Sequence, residues 1–241
     1  MFLRGLSAAI TALIFAAGSL PASAQTLVDY RHLVLNGYTL KWGKPVLGTG
    51  ARVTYALVRE TVDFPQARNC KSIASLDGLL AKSAISTDIF ERELGKALKV
   101  WEKAANISFK SADAATADIL IGAQVNPAGY AFANVDYDES AVGKGPRSIQ
   151  RSLVCMNPKK RWKIGFDGDL EVYDLRYTLI HEIGHAIGLD HPAIAGQLMA
   201  YKYGEKFRVL QAGDIAGIEK LYGPSGVVNA NAGPPASKAL R

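Results

Sequence analysis

The chain has 241 residues, of which 49% are hydrophobic and 21% charged. That excludes a disordered tail protein and suits one domain of ordinary size or two small ones. The core can be sizeable, because a chain of about 200 residues buries roughly 70% of its unfolded surface. The formal charge of +6, from 28 Lys and Arg against 22 Asp and Glu, is spread along the chain, and no nucleic-acid partner is expected from it.

Residues 1–24 read as an export signal. Arg4 supplies the positive start, Gly5 to Leu20 is apolar, Pro21 breaks the run, and Ala22-Ser23-Ala24 has the small-x-small pattern of a cleavage site. The alternative is an uncleaved membrane anchor, but the run is short of the ~20 residues that a span needs. The mature chain is expected to start at Gln25 and to be secreted or periplasmic, with no membrane attachment after cleavage. Cys70 and Cys155 would then meet an oxidising compartment, where two cysteines in one domain usually pair. The other reading is a cysteine that caps a metal and keeps an enzyme latent.

Residues 25–49 form a polar lead-in with no clear period. Arg52 to Val58 is β-branched and aromatic and reads as a strand. Phe64 to Ser86 reads as an irregular loop carrying Cys70. A helix follows: Asp88 with Glu91 resembles a capping box, and Phe90, Leu94, Ala97, Leu98 and Trp101 keep a helical period. Ile107-Ser108-Phe109, Asp118 to Gly122 and Gly129 to Val135 are strand candidates. Asp136 to Gln150 reads as a loop, and Ser152 to Phe166 as one or two strands broken at Pro158 to Arg161. A second helix is expected from about Asp174 to Gly188, and a third from Asp214 to Tyr222, stopped by Gly223-Pro224. Residues 225–241 have the small, Pro/Gly-containing composition of a disordered tail. One domain, 50–224, is expected.

Residues 181–191 hold three of the four histidines of the chain. On a helix His181 and His185 project from one face about a turn apart, a spacing at which two neutral imidazoles can hold one zinc. Glu182 lies about 100° around the helix, near such a metal without being forced to ligate it, which suits a general base. Leu175, Leu179, Ile183, Ala186 and Ile187 fall on the opposite side and turn the ligand face outward. His191 needs a change of direction, since a straight helix would carry it too far up the axis. Gly188 can take a positive φ, end the helix and let the chain double back. Three protein nitrogens leave a fourth position for water, as a catalytic zinc requires. A pair of helical histidines can also be ordinary surface residues, but chance does not place five agreeing positions in a chain so poor in histidine. His32 reads as an ordinary surface histidine.

The stretch from His181 to His191 matches the HExxHxxGxxH motif and resembles that of the metzincin zinc endopeptidases, with Gly188-Leu189-Asp190-His191 similar to the matrixin version. Lys96 to Glu102, Ile107 to Phe109 and Ala117 to Ile121 resemble the matrixin first helix and the strands after it. Asp214 to Ile218 and Leu221 to Pro224 resemble the end of the matrixin catalytic domain, and Leu198-Met199-Ala200-Tyr201 sits at the Met-turn. The resemblance implies that Met199 forms an apolar floor beneath the metal. Matrixins follow this Met with Tyr-Pro, whereas here Ala200-Tyr201 follows. Tyr201 is therefore either an extra ligand or oxyanion donor, or a core tyrosine. No histidine lies between His32 and His181, so the second, structural zinc of matrixins is not expected. Nor is a long prodomain with a cysteine switch, or a hemopexin-like domain. Acidic loops around Asp136, Asp138, Asp167 and Asp169 offer oxygens to calcium, without a recognisable ligand spacing.

The resemblance implies an α+β metzincin fold: a mixed twisted sheet of about five strands with three helices, the zinc helix packed beneath it. It implies an exported zinc metalloendopeptidase, expected to be monomeric, that acts on peptide or protein substrates. One catalytic zinc would sit on His181, His185 and His191, with Glu182 as general base and the substrate extended beside an edge strand around Tyr130 to Val135. A hydrolase of some other amide is a second reading, and a zinc-stabilised binding module with a vestigial protease site is a third.

Overall fold

A computed structural model describes residues 29–226, so the expected export signal and all but the start of the expected tail lie outside the described residues. The elements in chain order are β1 (Arg31–His32), β2 (Val34–Leu35), β3 (Tyr38–Lys41), β4 (Ala51–Leu57), β5 (Val62–Asp63) and β6 (Ser72–Ala74), then α1 (Asp77–Ser83) and α2 (Thr87–Ala104). β7 (Ile107–Ser111), β8 (Ile119–Gln124), β9 (Ala131–Tyr137), β10 (Arg147–Met156), β11 (Trp162–Lys163) and β12 (Tyr173–Asp174) follow. α3 (Leu175–Ala186), β13 (Leu189–Asp190) and α4 (Ala212–Tyr222) complete the set.

The main sheet is mixed. β10, β8, β4 and β7 run parallel in that order, and β3 adds in parallel to the start of β10. β9 pairs antiparallel with β10, and among the described residues its other edge pairs with no strand. β8 is buried along its whole length, as a strand covered on both faces must be, and so reads as a continuous apolar run. Alternation splits its side chains: Ile119 and Ile121 join the main core, and Leu120 joins a smaller cluster on the other face with Val58, Ile73, Leu153, Cys70 and Cys155. Cys70 and Cys155 form a disulfide there, in agreement with the sequence expectation.

α2 and α3 cover the main core face. α2 buries Phe90, Leu94, Ala97, Leu98 and Trp101, the stripe expected from its period. Phe90, Leu94 and Leu98 each contribute roughly 1.5–3 kcal/mol relative to exposure. Trp101 crosses to α3 and donates from Nε1 to Ile180 O at 3.1 Å. Gly184 permits that approach: a Cβ there would stand 2.8 Å from Trp101 Cζ2 and 2.3 Å from Met199 Sδ.

The architecture is α+β with a mixed sheet, as expected, and it is larger than expected. The sheet has nine strands and four helices surround it among the described residues. The 25–49 lead-in contributes β1, β2 and β3, and the 64–86 loop contains β6 and α1. The expected 136–150 loop is shorter, because β9 runs to Tyr137 and β10 starts at Arg147. Ser86, not Asp88, caps α2, its Oγ accepting from Ile89 N at 3.3 Å. His32 is not an ordinary surface residue: it is half-buried and its Nε2 lies 3.0 Å from Gly217 O.

Candidate active site

α3 starts where Asp174 caps it, the carboxylate accepting from Tyr177 N at 2.8 Å. Its last two turns carry His181 and His185 one above the other, with Nε2 atoms 3.1 Å apart. The helix ends at Ile187, and Gly188 takes φ 105°, the left-handed turn expected of it. A Cβ at this position would also stand 2.3 Å from Leu40 O, so two constraints select glycine. The chain doubles back through β13 and brings His191 Nε2 to 3.1 Å from both other Nε2 atoms. Among the described residues these three side chains form the one group able to hold a metal ion between them.

The protons on these rings follow from their surroundings. His181 Nδ1 faces Leu198 O at 3.0 Å and His185 Nδ1 faces Leu189 O at 2.9 Å. A nitrogen that faces a carbonyl must donate, so each Nε2 presents a lone pair to the centre. Burial, followed by the mutual proximity of the rings, holds His181 well below the ordinary histidine value and His185 at about 4, and burial also lowers His191. Three acceptors that meet edge to edge cannot satisfy one another, whereas a cation satisfies all three. The nitrogens of a tetrahedral zinc with bonds of about 2.0–2.1 Å stand about 3.3 Å apart, close to the observed triangle. The donor set therefore fits zinc.

Glu182 is buried beside this triangle. Burial raises its carboxyl to about 8, against a smaller opposing effect from a hydrogen bond with the Ala133 backbone on β9. The triangle and Glu182 face a cleft of about 1120 Å³ whose walls include β9 from Ala131 to Tyr137, the 63–69 loop, and Tyr201 and Tyr203. At one end three rings form a continuous wall. Tyr130 stacks on Tyr173 at 3.7 Å between centroids, and Tyr173 stacks on Tyr203 at 4.1 Å.

The expected site residues thus come together: His181, Glu182, His185 and His191 share one cleft with β9. Met199 is buried against Gly184, and its peptide is held by Asp214 on α4, whose carboxylate accepts from Leu198 N at 2.8 Å and Met199 N at 3.0 Å. That contact also sets the Leu198 carbonyl that meets His181. Tyr201 is not a core residue: it is 80% exposed, with its ring edge-on to His191 at 5.1 Å. Each acid considered for calcium has a local partner: Asp136 accepts from Tyr137 N at 3.1 Å. Asp138 accepts from Ser140, Asp167 pairs with Lys163, and Asp169 accepts from Glu171 N. The carbonyls of Leu189 and Leu198 and the Tyr130–Tyr173–Tyr203 wall carry no sequence signal, because they are backbone groups or residues far apart in the chain.

An α+β fold with this histidine turn on its second long helix is that of a metzincin. Residues 79–223 match the Peptidase_M10 family, the matrixins, over more than half of the chain, and the chain belongs to that family. It is 29% identical to matrilysin of Mus musculus over 182 residues, covering 71% of this chain and 57% of that protein. Matrilysin of Rattus norvegicus is 26% identical over 182 residues with the same coverage. Matrix metalloproteinase-20 of Homo sapiens is 29% identical over 147 residues, 56% of this chain and 28% of that one. The chain thus spans little more than half the length of the matrilysins it matches.

Proposed function

We propose that the chain is an exported zinc-dependent endopeptidase whose metal is held by Nε2 of His181, His185 and His191. One observation carries the reading: three half-buried lone pairs converge within a 3.1 Å triangle, beside a buried carboxylate, in a cleft bordered by a strand edge that pairs with no other strand among the described residues. Zinc bound there supplies Lewis acidity toward a peptide carbonyl and toward water. The chain's own groups do the rest. The free edge of β9 offers main-chain hydrogen bonds to an extended peptide, which holds the scissile bond over the histidines. Burial holds Glu182 protonated in the metal-free chain, and the positive charge of a zinc on the three histidines would restore the carboxylate. That carboxylate takes a proton from the attacking water and then delivers it to the leaving nitrogen. The carbonyls of Leu198 and Leu189 keep His181 and His185 in the tautomer that faces the metal, a contribution whose loss typically costs 10–100-fold in affinity or activity. The export reading rests on the pattern of residues 1–24, and the disulfide suits an oxidising compartment. Among the described residues no helix is long and apolar enough to cross a membrane.

The test is Glu182→Gln, which keeps the shape of the side chain and removes its ability to accept a proton. Zinc content is expected near the parent level, and cleavage of an unfolded protein is expected to fall by about 10³–10⁴-fold. Cleavage within about tenfold of the parent would remove Glu182 from the role of base. A protein that binds zinc but cleaves nothing even in its parent form would support the binding-module reading instead.

A further inference from the structure

The turn that carries the chain from His185 to His191 draws most of its partners from one distant segment, residues 29–42. The others are Tyr222 of α4 and Ser152 of β10, whose Oγ donates to Ala186 O at 3.0 Å. Ala186 O accepts from Trp42 Nε1 at 2.9 Å. Ile187 O accepts from the Tyr222 hydroxyl at 2.7 Å, and that oxygen accepts from Trp42 N at 2.9 Å. Gly188 O accepts from Leu33 N at 2.8 Å, and the α-carbon of Gly188 rests against Leu40 O. Leu189 and Asp190 pair antiparallel with His32 and Arg31, and the Arg31 guanidinium lies 3.4 Å from the Asp190 carboxylate. Beyond His191, Ile194 N donates to Asp29 at 2.8 Å. Each residue from Ala186 to Asp190 is thus held by the segment, directly or through Tyr222.

The segment is itself anchored on other elements. His32 meets Gly217 O on α4, and Asp29 O lies so close to Gly213 that a Cβ there would stand 2.0 Å away. β3 pairs with β10. The held turn controls two imidazoles: Leu189 O is the acceptor for His185 Nδ1 at 2.9 Å, and the Asp190 carboxylate accepts from His191 N at 2.8 Å. A turn of several residues, one of them glycine, would otherwise be ordered only when metal binds, at roughly 1–2 kcal/mol per residue of backbone entropy.

We propose that residues 29–42, which lie outside the 79–223 family match, are part of the metal centre. They act as a strap that shapes the 186–190 turn before metal binds, with Leu33 and Trp42 as positioning residues for His185 and His191. The inference rests on the reading of the three histidines as zinc ligands.

The test compares zinc loss to an excess of chelator from full-length parent, Leu33→Pro, which removes the donor to Gly188 O, and Trp42→Phe, which removes the segment's donor to Ala186 O and leaves only Ser152 Oγ on it. Val53→Ala, a buried change on β4 that lies in neither the turn nor the 29–42 segment, serves as the control for destabilisation. Zinc is expected to leave Leu33→Pro and Trp42→Phe about 10–100-fold more readily than the parent, in the range typical of lost outer partners of a metal ligand. Val53→Ala should lose zinc at the parent rate despite a lower Tm. Zinc loss within about threefold of the parent from both variants, or an equal acceleration in Val53→Ala, overturns the strap. If Leu33→Pro does not fold, Trp42→Phe alone decides by the same threshold. A parent that never holds zinc overturns the ligand assignment itself, which separates the two failures.

Discussion

At its first turn α3 is held by formal charges. The fully buried Asp174 receives a two-pronged contact from Arg208, with Nε and Nη2 each at 2.9 Å, in addition to capping the helix. Next to it Glu93 of α2, also buried, takes Arg176 Nε at 2.5 Å and Lys96 Nζ at 2.9 Å, and Arg208 Nη2 reaches it at 3.4 Å. At its C-terminal end α3 is held by neutral groups: imidazoles, carbonyls, the Trp42 indole and the hydroxyls of Ser152 and Tyr222. Both arrangements suit the helix dipole, which favours an anion at the N-terminus and a cation near the C-terminus. The difference lies in what remains unsatisfied. The charged end is closed, each carboxylate being matched by guanidinium or ammonium groups. The neutral end leaves three lone pairs converging on one point and so calls for a ligand. Stability resides at one end of the helix, and binding capacity at the other.

The sharpest way to break this comparison is Arg208→Ala. It leaves Asp174 buried without its main partner, and loss of one member of a buried pair costs about 3–5 kcal/mol. Chemical denaturation should report a loss near that range, while zinc content and cleavage rate per folded molecule stay within about twofold of the parent. Loss of zinc before unfolding would show that the two ends are coupled and that the division of labour is wrong.

A smaller effect is expected from pH. Burial alone would raise the Glu93 carboxyl, but hydrogen bonds from Arg176 and Lys96 more than reverse this and bring it from 4.5 down to about 2. Since the folded value lies below the unfolded one, the stabilisation is complete above the unfolded value and is lost as pH falls from 4.5 through about 2. Parent and Glu93→Gln, each unfolded by denaturant at several pH values, should converge in stability by up to about 2–3 kcal/mol across that window. A constant difference between them from pH 5 down to pH 2 would contradict the charged role of Glu93.

The two ends of α3 also differ in how far they can be read from sequence. His181, Glu182, His185, Gly188 and His191 lie within one short stretch, so their spacing carries the helix, its end and the turn back to the metal. α2 is legible for the same reason: its stripe from Phe90 to Trp101 repeats with the helical period. The charged end is assembled from residues 93, 174, 176 and 208, which only the tertiary fold brings together. The strap at 29–42 shows in sequence only a polar stretch with no clear period, because its strands have two to four residues and act largely through backbone groups, which any side chain can present. α1 escaped detection because it is seven residues long and has no side-chain cap. β10 was placed too late, since Arg147, Gln150 and Arg151 disguise its first half as loop.

The central claim, that the neutral end of α3 is a zinc site, is tested most directly by the metal content of purified protein and of His185→Ala. The account predicts one tightly bound zinc per parent chain and its loss from the variant, with helical circular dichroism retained, because two imidazoles hold zinc poorly. Full zinc occupancy in His185→Ala, or no zinc in the parent, would contradict it.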